Sequence, residues 1–155
     1  MKGSEQVIAT LNELLADELT AINQYMVHAG MCSNWGFEKL HKKIEERAIT
    51  EMRHAEKLID RILFLEGLPI VSDLNKLSIG ATVEKQLQND LAAEHGADTA
   101  YNAAIRVAVQ AGDAGTRELL EDILEDEEEH IDWLEAQLDQ IGQMGIQVYL
   151  GLQVN

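Results

Sequence analysis

Two motifs of the same type occur in this chain, and both carry residues that bind metals. Glu51 to His54 and Glu127 to His130 each follow the pattern Glu-x-x-His, and the two motifs are 76 residues apart. A further glutamate precedes each motif by 33 residues. The repeat therefore holds six candidate ligands in one register: Glu18, Glu51, His54, Glu94, Glu127 and His130. Carboxylate and imidazole groups bind iron, manganese and zinc, so the repeat indicates a metal site.

Each of the four glutamates lies in the middle of an apolar stripe with helical spacing. Residues three, four and seven apart share one face of an α-helix, and around Glu18 that face carries Leu14, Leu15 and Ile22. His54 and His130 follow their glutamates at i+3 and lie on nearly the same face. A buried carboxylate normally protonates or binds a cation, because an isolated charge in an apolar interior is very costly. The pattern predicts carboxylates and imidazoles that converge on metal ions.

Composition excludes several other classes of protein. The formal net charge of −16 argues against nucleic acid as a partner, because phosphate binding needs Lys and Arg. No run approaches the roughly 20 apolar residues of a membrane span, and the first residues show no signal-peptide pattern. Cys32 is the only cysteine, which fits a reducing compartment. We therefore predict a cytoplasmic protein that forms one domain over residues 1–155.

Helical spacing and helix breakers divide the chain into four long helices. We expect them over residues of about 5–33, 37–65, 82–111 and 113–142. The turns after the first and third helices are short, which favours antiparallel hairpins, whereas the connection from about 66 to 81 can run the length of a helix. The predicted fold is all-α, a four-helix bundle over about 5–142 with a long crossover between helices 2 and 3.

A short apolar segment follows Gly145 and forms a predicted fifth helix over about 145–153. It is too short to be stable by itself, and we expect a finished four-helix core to have no place for it. A subunit contact is the favoured interpretation, against a frayed tail. The acids that point outward from the fourth helix are expected to be solvated or to line a cavity: Asp122, Glu125, Asp126, Glu128 and Glu129.

A glutamate from each of two helices plus a Glu-x-x-His from each of the other two is the known ligand set of di-iron carboxylate bundles. Over its whole length, the chain resembles the bacterioferritins. Three features favour this family over eukaryotic-type ferritins and rubrerythrins: the doubled Glu-x-x-His, Met52 beside Glu51, and the apolar C-terminal segment. The resemblance implies that Glu18 and His54 bind one iron, that Glu94 and His130 bind the other, and that Glu51 and Glu127 bridge them. Two Fe²⁺ would then balance the four carboxylates formally.

Two tyrosines follow the glutamates that lie outside the Glu-x-x-His motifs by seven residues, Tyr25 after Glu18 and Tyr101 after Glu94. Helical phase places both near the site. They either donate hydrogen bonds that orient the ligand glutamates, or they are core tyrosines whose hydroxyls are satisfied elsewhere.

The resemblance also implies iron storage. The di-iron centre would oxidise Fe²⁺ to Fe³⁺ with O₂ or H₂O₂, and the product would be stored as a ferric mineral inside a hollow 24-mer built of twofold dimers. Met52 resembles the methionine through which bacterioferritins hold haem b between two subunits, although a helical methionine judged by itself is usually a packing residue. The haem would assist iron release, with a ferredoxin-type reductant as partner.

Two other functions use the same ligands and stay open at this point. A di-iron enzyme would use O₂ to oxidise an organic substrate and would need a substrate pocket. A binding or structural bundle would hold Zn²⁺ or Mn²⁺ without turnover, because these ligands do not select iron uniquely.

Overall fold

The computed structural model describes residues 1–155 and contains five α-helices and no strand. Their bounds are α1 Glu5–Asn34, α2 Glu38–Phe64, α3 Val83–Gln110, α4 Ala114–Met144 and α5 Ile146–Gly151. The predicted four-helix bundle with a short fifth helix is confirmed, and the long helices end within two or three residues of the expected positions. None of the helices has both the length and the apolar character that crossing a membrane requires.

The turns between the helices follow from residues that terminate or cap a helix. Gly36 and Gly112, in the turns after α1 and α3, have φ of 84° and 68°, a left-handed conformation that glycine adopts without steric cost. The Asp113 carboxylate caps α4 by accepting a hydrogen bond from the Thr116 backbone N–H at 3.0 Å. Arg61 donates to Asp113 at 2.7 Å, which joins the last turn of α2 to the turn between α3 and α4.

The crossover from α2 to α3 runs along the outside of α1. Four of its backbone N–H groups donate to side chains spaced along α1: Ile70 to Asn12, Asn75 to Thr20, Ser78 to Gln24 and Gly80 to His28. The crossover therefore covers about four turns of α1 and places α3 parallel to α2. Helix α1 packs along α2 and α3 along α4, and contacts of α1 with α3 and of α2 with α4 join the two hairpins.

Two apolar clusters fill the bundle, and the candidate ligands lie between them. One cluster contains Leu11, Leu58 and Leu120, whereas the other contains Leu40 and Leu134. On every long helix the ligand residues fall between the positions that enter one cluster and those that enter the other. The apolar core thus encloses the polar site from both ends.

The fifth helix corrects one expectation. Tyr149 is fully buried in the second apolar cluster, and its hydroxyl donates to Gln137 Oε1 at 2.8 Å. Ile146 and Leu150 pack against the same cluster. The prediction that this segment has no place in the core is therefore wrong for its inner face, because the ring fills the end of the bundle and its hydroxyl has a partner there. The outer face, with Val148, remains exposed.

Candidate metal centre

The structure brings all six predicted ligand residues into the interior. Each is between 1% and 6% exposed: Glu18, Glu51, His54, Glu94, Glu127 and His130. They come from all four long helices at the level between the apolar clusters. The helical periodicity that placed them on inward faces is thus confirmed by their burial.

Four of these residues form one compact group, which we name the His54 position. Glu18, Glu51, His54 and Glu127 each offer a ligand atom, and these atoms lie within 4.8 Å of one another. His54 Nδ1 is 3.1 Å from Glu127 Oε1 and 3.6 Å from both Glu18 Oε2 and Glu51 Oε2. One imidazole nitrogen and three carboxylate oxygens therefore converge, a ligand set suited to Fe²⁺, Mn²⁺ or Zn²⁺.

The other nitrogen of His54 faces a carboxylate. His54 Nε2 lies 2.8 Å from Asp126 Oδ2, and because a carboxylate only accepts, Nε2 carries the proton. Such a hydrogen bond fixes which ring nitrogen is left to face a metal. Asp126 was predicted to be solvated or to line a cavity, and its side chain is indeed 42% exposed. Its contact with His54 was missed, because it depends on a residue 72 positions away.

The remaining ligand residues form a second group, which we name the His130 position. His130 Nδ1 donates to Glu94 Oε1 at 2.8 Å. Arg47 Nη2 lies 3.0 Å from Glu127 Oε2 and 3.6 Å from Glu94 Oε2, and it also contacts Glu51 Oε1. A guanidinium nitrogen therefore stands where the three carboxylates of this position meet.

Sequence reasoning missed Arg47, although a signal was present. Arg47 precedes Glu51 by four residues, so it shares the inward face of α2 with Ile44 and Ala48. A basic residue in an apolar stripe beside a buried carboxylate indicates an ion pair within the core. The side chain is 9% exposed, and its Nη1 also donates to the backbone oxygen of Asp126 at 3.1 Å.

Both tyrosines donate to ligand glutamates, in a crossed arrangement. Tyr101 on α3 donates to Glu18 Oε1 on α1 at 2.5 Å, and Tyr25 on α1 donates to Glu94 Oε1 on α3. The hydrogen-bonding interpretation is thus confirmed over the alternative of hydroxyls satisfied elsewhere. The crossing follows from the antiparallel course of α1 and α3, which brings each tyrosine level with the glutamate of the other half. Each bond leaves the second oxygen of its glutamate free to face the site.

Orphaned polar atoms show that this chain's own residues fit a metal. Buried side-chain atoms without a hydrogen-bond partner are rare in folded proteins. Five of the six ligand residues each have one buried atom without such a partner: Glu18 Oε2, Glu51 Oε1, His54 Nδ1, Glu94 Oε2 and Glu127 Oε1. They belong to the carboxylates and the imidazole that converge on the two positions. Coordination to metal ions would satisfy them.

The pKa values of the site residues shift in different directions. Burial, followed by repulsion from neighbouring carboxylates, raises the pKa of Glu51 and Glu127 well above the ordinary value of 4.5. Burial also raises the pKa of Glu94, but contacts with Glu127 and His130 outweigh it and lower the pKa to about 2. For His54, burial lowers the pKa, but contacts with Glu127 and other carboxylates outweigh it and raise the pKa to about 12. Metal ions would therefore displace protons on binding.

Met52 lies outside this site. Its side chain is on the outer face of α2 and is 44% exposed, as is that of Ile49 at 43%, one helical turn earlier. Met52 therefore points away from the metal ligands.

Comparison with known proteins gives a consistent result. Residues 8–144 match the family model described as a ferritin-like domain. The chain is 44% identical over 149 residues to the bacterioferritin of Mycobacterium leprae, covering 96% of this chain and 94% of that protein. It is 42% identical to the bacterioferritin of Brucella melitensis, covering 96% and 92% of the two chains. Identity to the bacterioferritin of Rhodobacter capsulatus is 44%, covering 95% and 91%.

Proposed function

Since this chain belongs to the bacterioferritin family of ferritin-like iron-storage proteins, we propose that it oxidises Fe²⁺ to Fe³⁺ at the buried carboxylate–histidine site and stores the product as a ferric mineral. The observation that carries this proposal is the set of five orphaned ligand atoms enclosed by the core. A site that served only the stability of the bundle would give each of these atoms a hydrogen-bond partner or replace it by an apolar group.

Each residue of the site has a proposed role. Glu18 and His54 are terminal ligands of one iron, Glu94 and His130 are terminal ligands of the other, and Glu51 and Glu127 bridge them. The bridging role is supported because Glu51 and Glu127 direct one oxygen toward each position. Bound there, two Fe²⁺ give up one electron each to O₂ or H₂O₂.

The surrounding residues prepare the ligands for this chemistry. Tyr25 and Tyr101 hold one oxygen of Glu94 and of Glu18, so that the other oxygen keeps its direction toward the metal. Asp126 holds the proton on His54 Nε2. A pocket of about 400 Å³ reaches Glu18, Glu94 and Glu127 and is also lined by Asp17 and Asn89. It offers a path by which Fe²⁺ enters.

The cage, haem and location are proposed on the same basis. We propose a 24-mer of about 415 kDa, 24 times the chain mass of 17.3 kDa, built of twofold dimers. Haem b would lie between the Met52 side chains of two subunits, supported by the exposure of Met52 and Ile49, with a ferredoxin-type reductant that supplies electrons for iron release. A cytoplasmic location is supported by the single cysteine, Cys32, which is buried and unpaired.

Stopped-flow measurement of Fe²⁺ oxidation tests the proposal. The fast phase for the first two irons per subunit should disappear in Glu127→Ala and His130→Ala, because each loses a ligand. Glu128→Ala and His95→Ala are matched controls, since both side chains are exposed and should leave the fast phase unchanged. Wild-type rates in both site variants would contradict the assignment.

Two further readouts separate the proposal from the other functions that use these ligands. An iron-filled particle of the size of a 24-mer by light scattering supports storage. Metal binding without O₂ consumption would support a passive bundle, and O₂ consumption that requires an organic substrate would support an oxygenase.

A further inference from the structure

Arg47 stands at one of the two metal positions and has no counterpart at the other, a difference that the repeat does not predict. We propose that Arg47 competes with metal at the His130 position, so that the two positions fill in order and the His54 position fills first. This inference rests on the proposed function, in that the site binds two metal ions.

The first argument is the placement of the guanidinium. Arg47 Nη2 contacts Glu51 Oε1, Glu127 Oε2 and Glu94 Oε2, the last two at 3.0 Å and 3.6 Å. At the His54 position the other oxygens of Glu51 and Glu127 instead face His54 Nδ1. A metal ion bound by the three oxygens that Arg47 contacts would need the space that the guanidinium nitrogen occupies. Arg47 and a metal ion therefore exclude each other at the His130 position.

The second argument is the register of the repeat. The residue 76 positions after Arg47 is Ile123, which is fully buried in the apolar core. The half of the chain that carries α4 thus places a neutral side chain where α2 places a cation. No arginine contacts the carboxylate oxygens that face the His54 position, where they converge on the nitrogen of a ligand histidine.

The hydrogen bonding of the two histidines also favours metal binding at the His54 position. His54 is held by the Asp126 carboxylate at 2.8 Å. The residue 76 positions before Asp126 is Thr50, whose hydroxyl donates to the backbone oxygen of Glu46 at 3.1 Å instead of holding His130. A carboxylate on the outer nitrogen of a ligand histidine strengthens that ligand. His54 has this support, whereas His130 instead stacks on Trp133 with ring centroids 5.8 Å apart.

Charge gives the reason why filling should be sequential. Four carboxylates balance two divalent ions, but Arg47 adds a fifth positive charge within the same buried group. The first divalent ion binds at the His54 position while Arg47 neutralises the carboxylates of the other position. The second ion must displace the guanidinium, and the attraction lost is substantial, because charges a few ångströms apart interact strongly inside a protein.

A recess of about 250 Å³ gives the displaced side chain a place to go. Arg47 lines this recess together with Glu46, Asp126 and Glu129. The guanidinium can therefore leave the ligand carboxylates and still find carboxylate partners, which avoids the cost of an unpaired charge. Return of the guanidinium from the recess to the ligand carboxylates would favour release of the ion at the His130 position before the ion at the His54 position.

Titration of the metal-stripped, assembled protein with Co²⁺, followed by calorimetry and by cobalt absorption, tests this order. In the wild type we expect two steps of one ion per subunit whose dissociation constants differ by at least about tenfold. Arg47→Gln should tighten the second step by at least about tenfold and leave the first nearly unchanged. Arg53→Gln removes the same charge from an exposed position of the same helix and should change neither step.

Crystal structures of the wild type, stripped of metal and loaded with Co²⁺, provide a test that does not depend on the variant folding. The guanidinium should contact Glu127 and Glu94 in the stripped crystal and lie in the recess in the loaded one. Two equal steps in the wild type, an unchanged second step in Arg47→Gln, or Arg47 in place beside two bound ions would each overturn the inference while the proposed function stands. Failure of the wild type to bind Co²⁺ in this site would instead overturn the proposed function.

Discussion

The substitution Glu127→Gln should stabilise the protein without metal and destabilise it, relative to the wild type, with metal. Burial raises the pKa of Glu127 well above 4.5, so folding without metal favours proton uptake by this carboxyl. At pH 7 that uptake costs at most about 3.4 kcal/mol, from about 1.36 kcal/mol for each of the 2.5 pH units between 4.5 and 7. Glutamine has the shape of the protonated acid and avoids this cost.

Part of the gain is offset by lost contacts. Glu127 lies 3.0 Å from Arg47 Nη2 and 3.1 Å from His54 Nδ1, and weakening one such interaction costs roughly 1–1.5 kcal/mol. The expected net gain is at most about 2 kcal/mol in the free energy of unfolding. For a chain of this size that corresponds to a rise in Tm of about 4–8 °C.

The pH dependence gives an independent check of the sign. Because the folded-state pKa of Glu127 and Glu51 is raised above 4.5, these two groups make the metal-free wild type lose stability as the pH rises from 5 toward 7. Glu127→Gln should reduce this loss. With metal at one hundred times its dissociation constant, the wild type gains about 2.7 kcal/mol, which the variant lacks because an amide is a poor bridging ligand.

The assay is thermal unfolding at one protein concentration, in chelator and in excess Zn²⁺, at pH 5 and pH 7. Glu128→Gln is the matched control, since it makes the same chemical change at the next, exposed residue and should shift Tm little in any condition. A metal-free Glu127→Gln less stable than the wild type at pH 7, or a wild type whose metal-free stability does not fall from pH 5 to pH 7, would refute the reasoning.

Three shorter predictions concern haem, the fifth helix and protons. Met52→Leu keeps volume at a cost below about 1.5 kcal/mol, so it should assemble and oxidise iron but show no haem Soret absorbance; haem retained at one per two subunits would identify another ligand. Tyr149→Ala should lower stability by about 3–5 kcal/mol in urea unfolding, whereas exposed Val148→Ala should not. Equal urea midpoints for the two variants would show that α5 does not contribute to the stability of the core. Zn²⁺ added in weak buffer at pH 7 should release at least about one proton per subunit, because carboxylate contacts raise the pKa of His54 to about 12; an unchanged pH would contradict this.

The helices and the six ligands were predictable because both depend on local periodicity. A stripe that repeats every three or four residues identifies the inward face of a helix from the chain alone, and Glu18 or Glu94 in such a stripe must be buried. Each of these features involves residues within one or two helical turns.

Two features that were missed depend on partners from other helices. Tyr149 was expected to lack a core, but it fills the end of the second apolar cluster. Asp126 was expected to be solvated or to line a cavity, and its contact with His54 at 2.8 Å was missed. Both outcomes depend on where helices pass one another, which periodicity within one helix does not encode.

The sequence by itself determined which side chains enter the interior, how they repeat, and that four buried carboxylates need cations. Only the tertiary structure decided which cation each carboxylate meets. Arg47 has a long side chain with several rotatable bonds, and its direction is set by Glu94 and Glu127, which come from α3 and α4. Helical phase is a property of neighbouring residues, whereas the pairing of buried charges is settled by all four helices at once, because every polar atom removed from water must find its partner across the bundle.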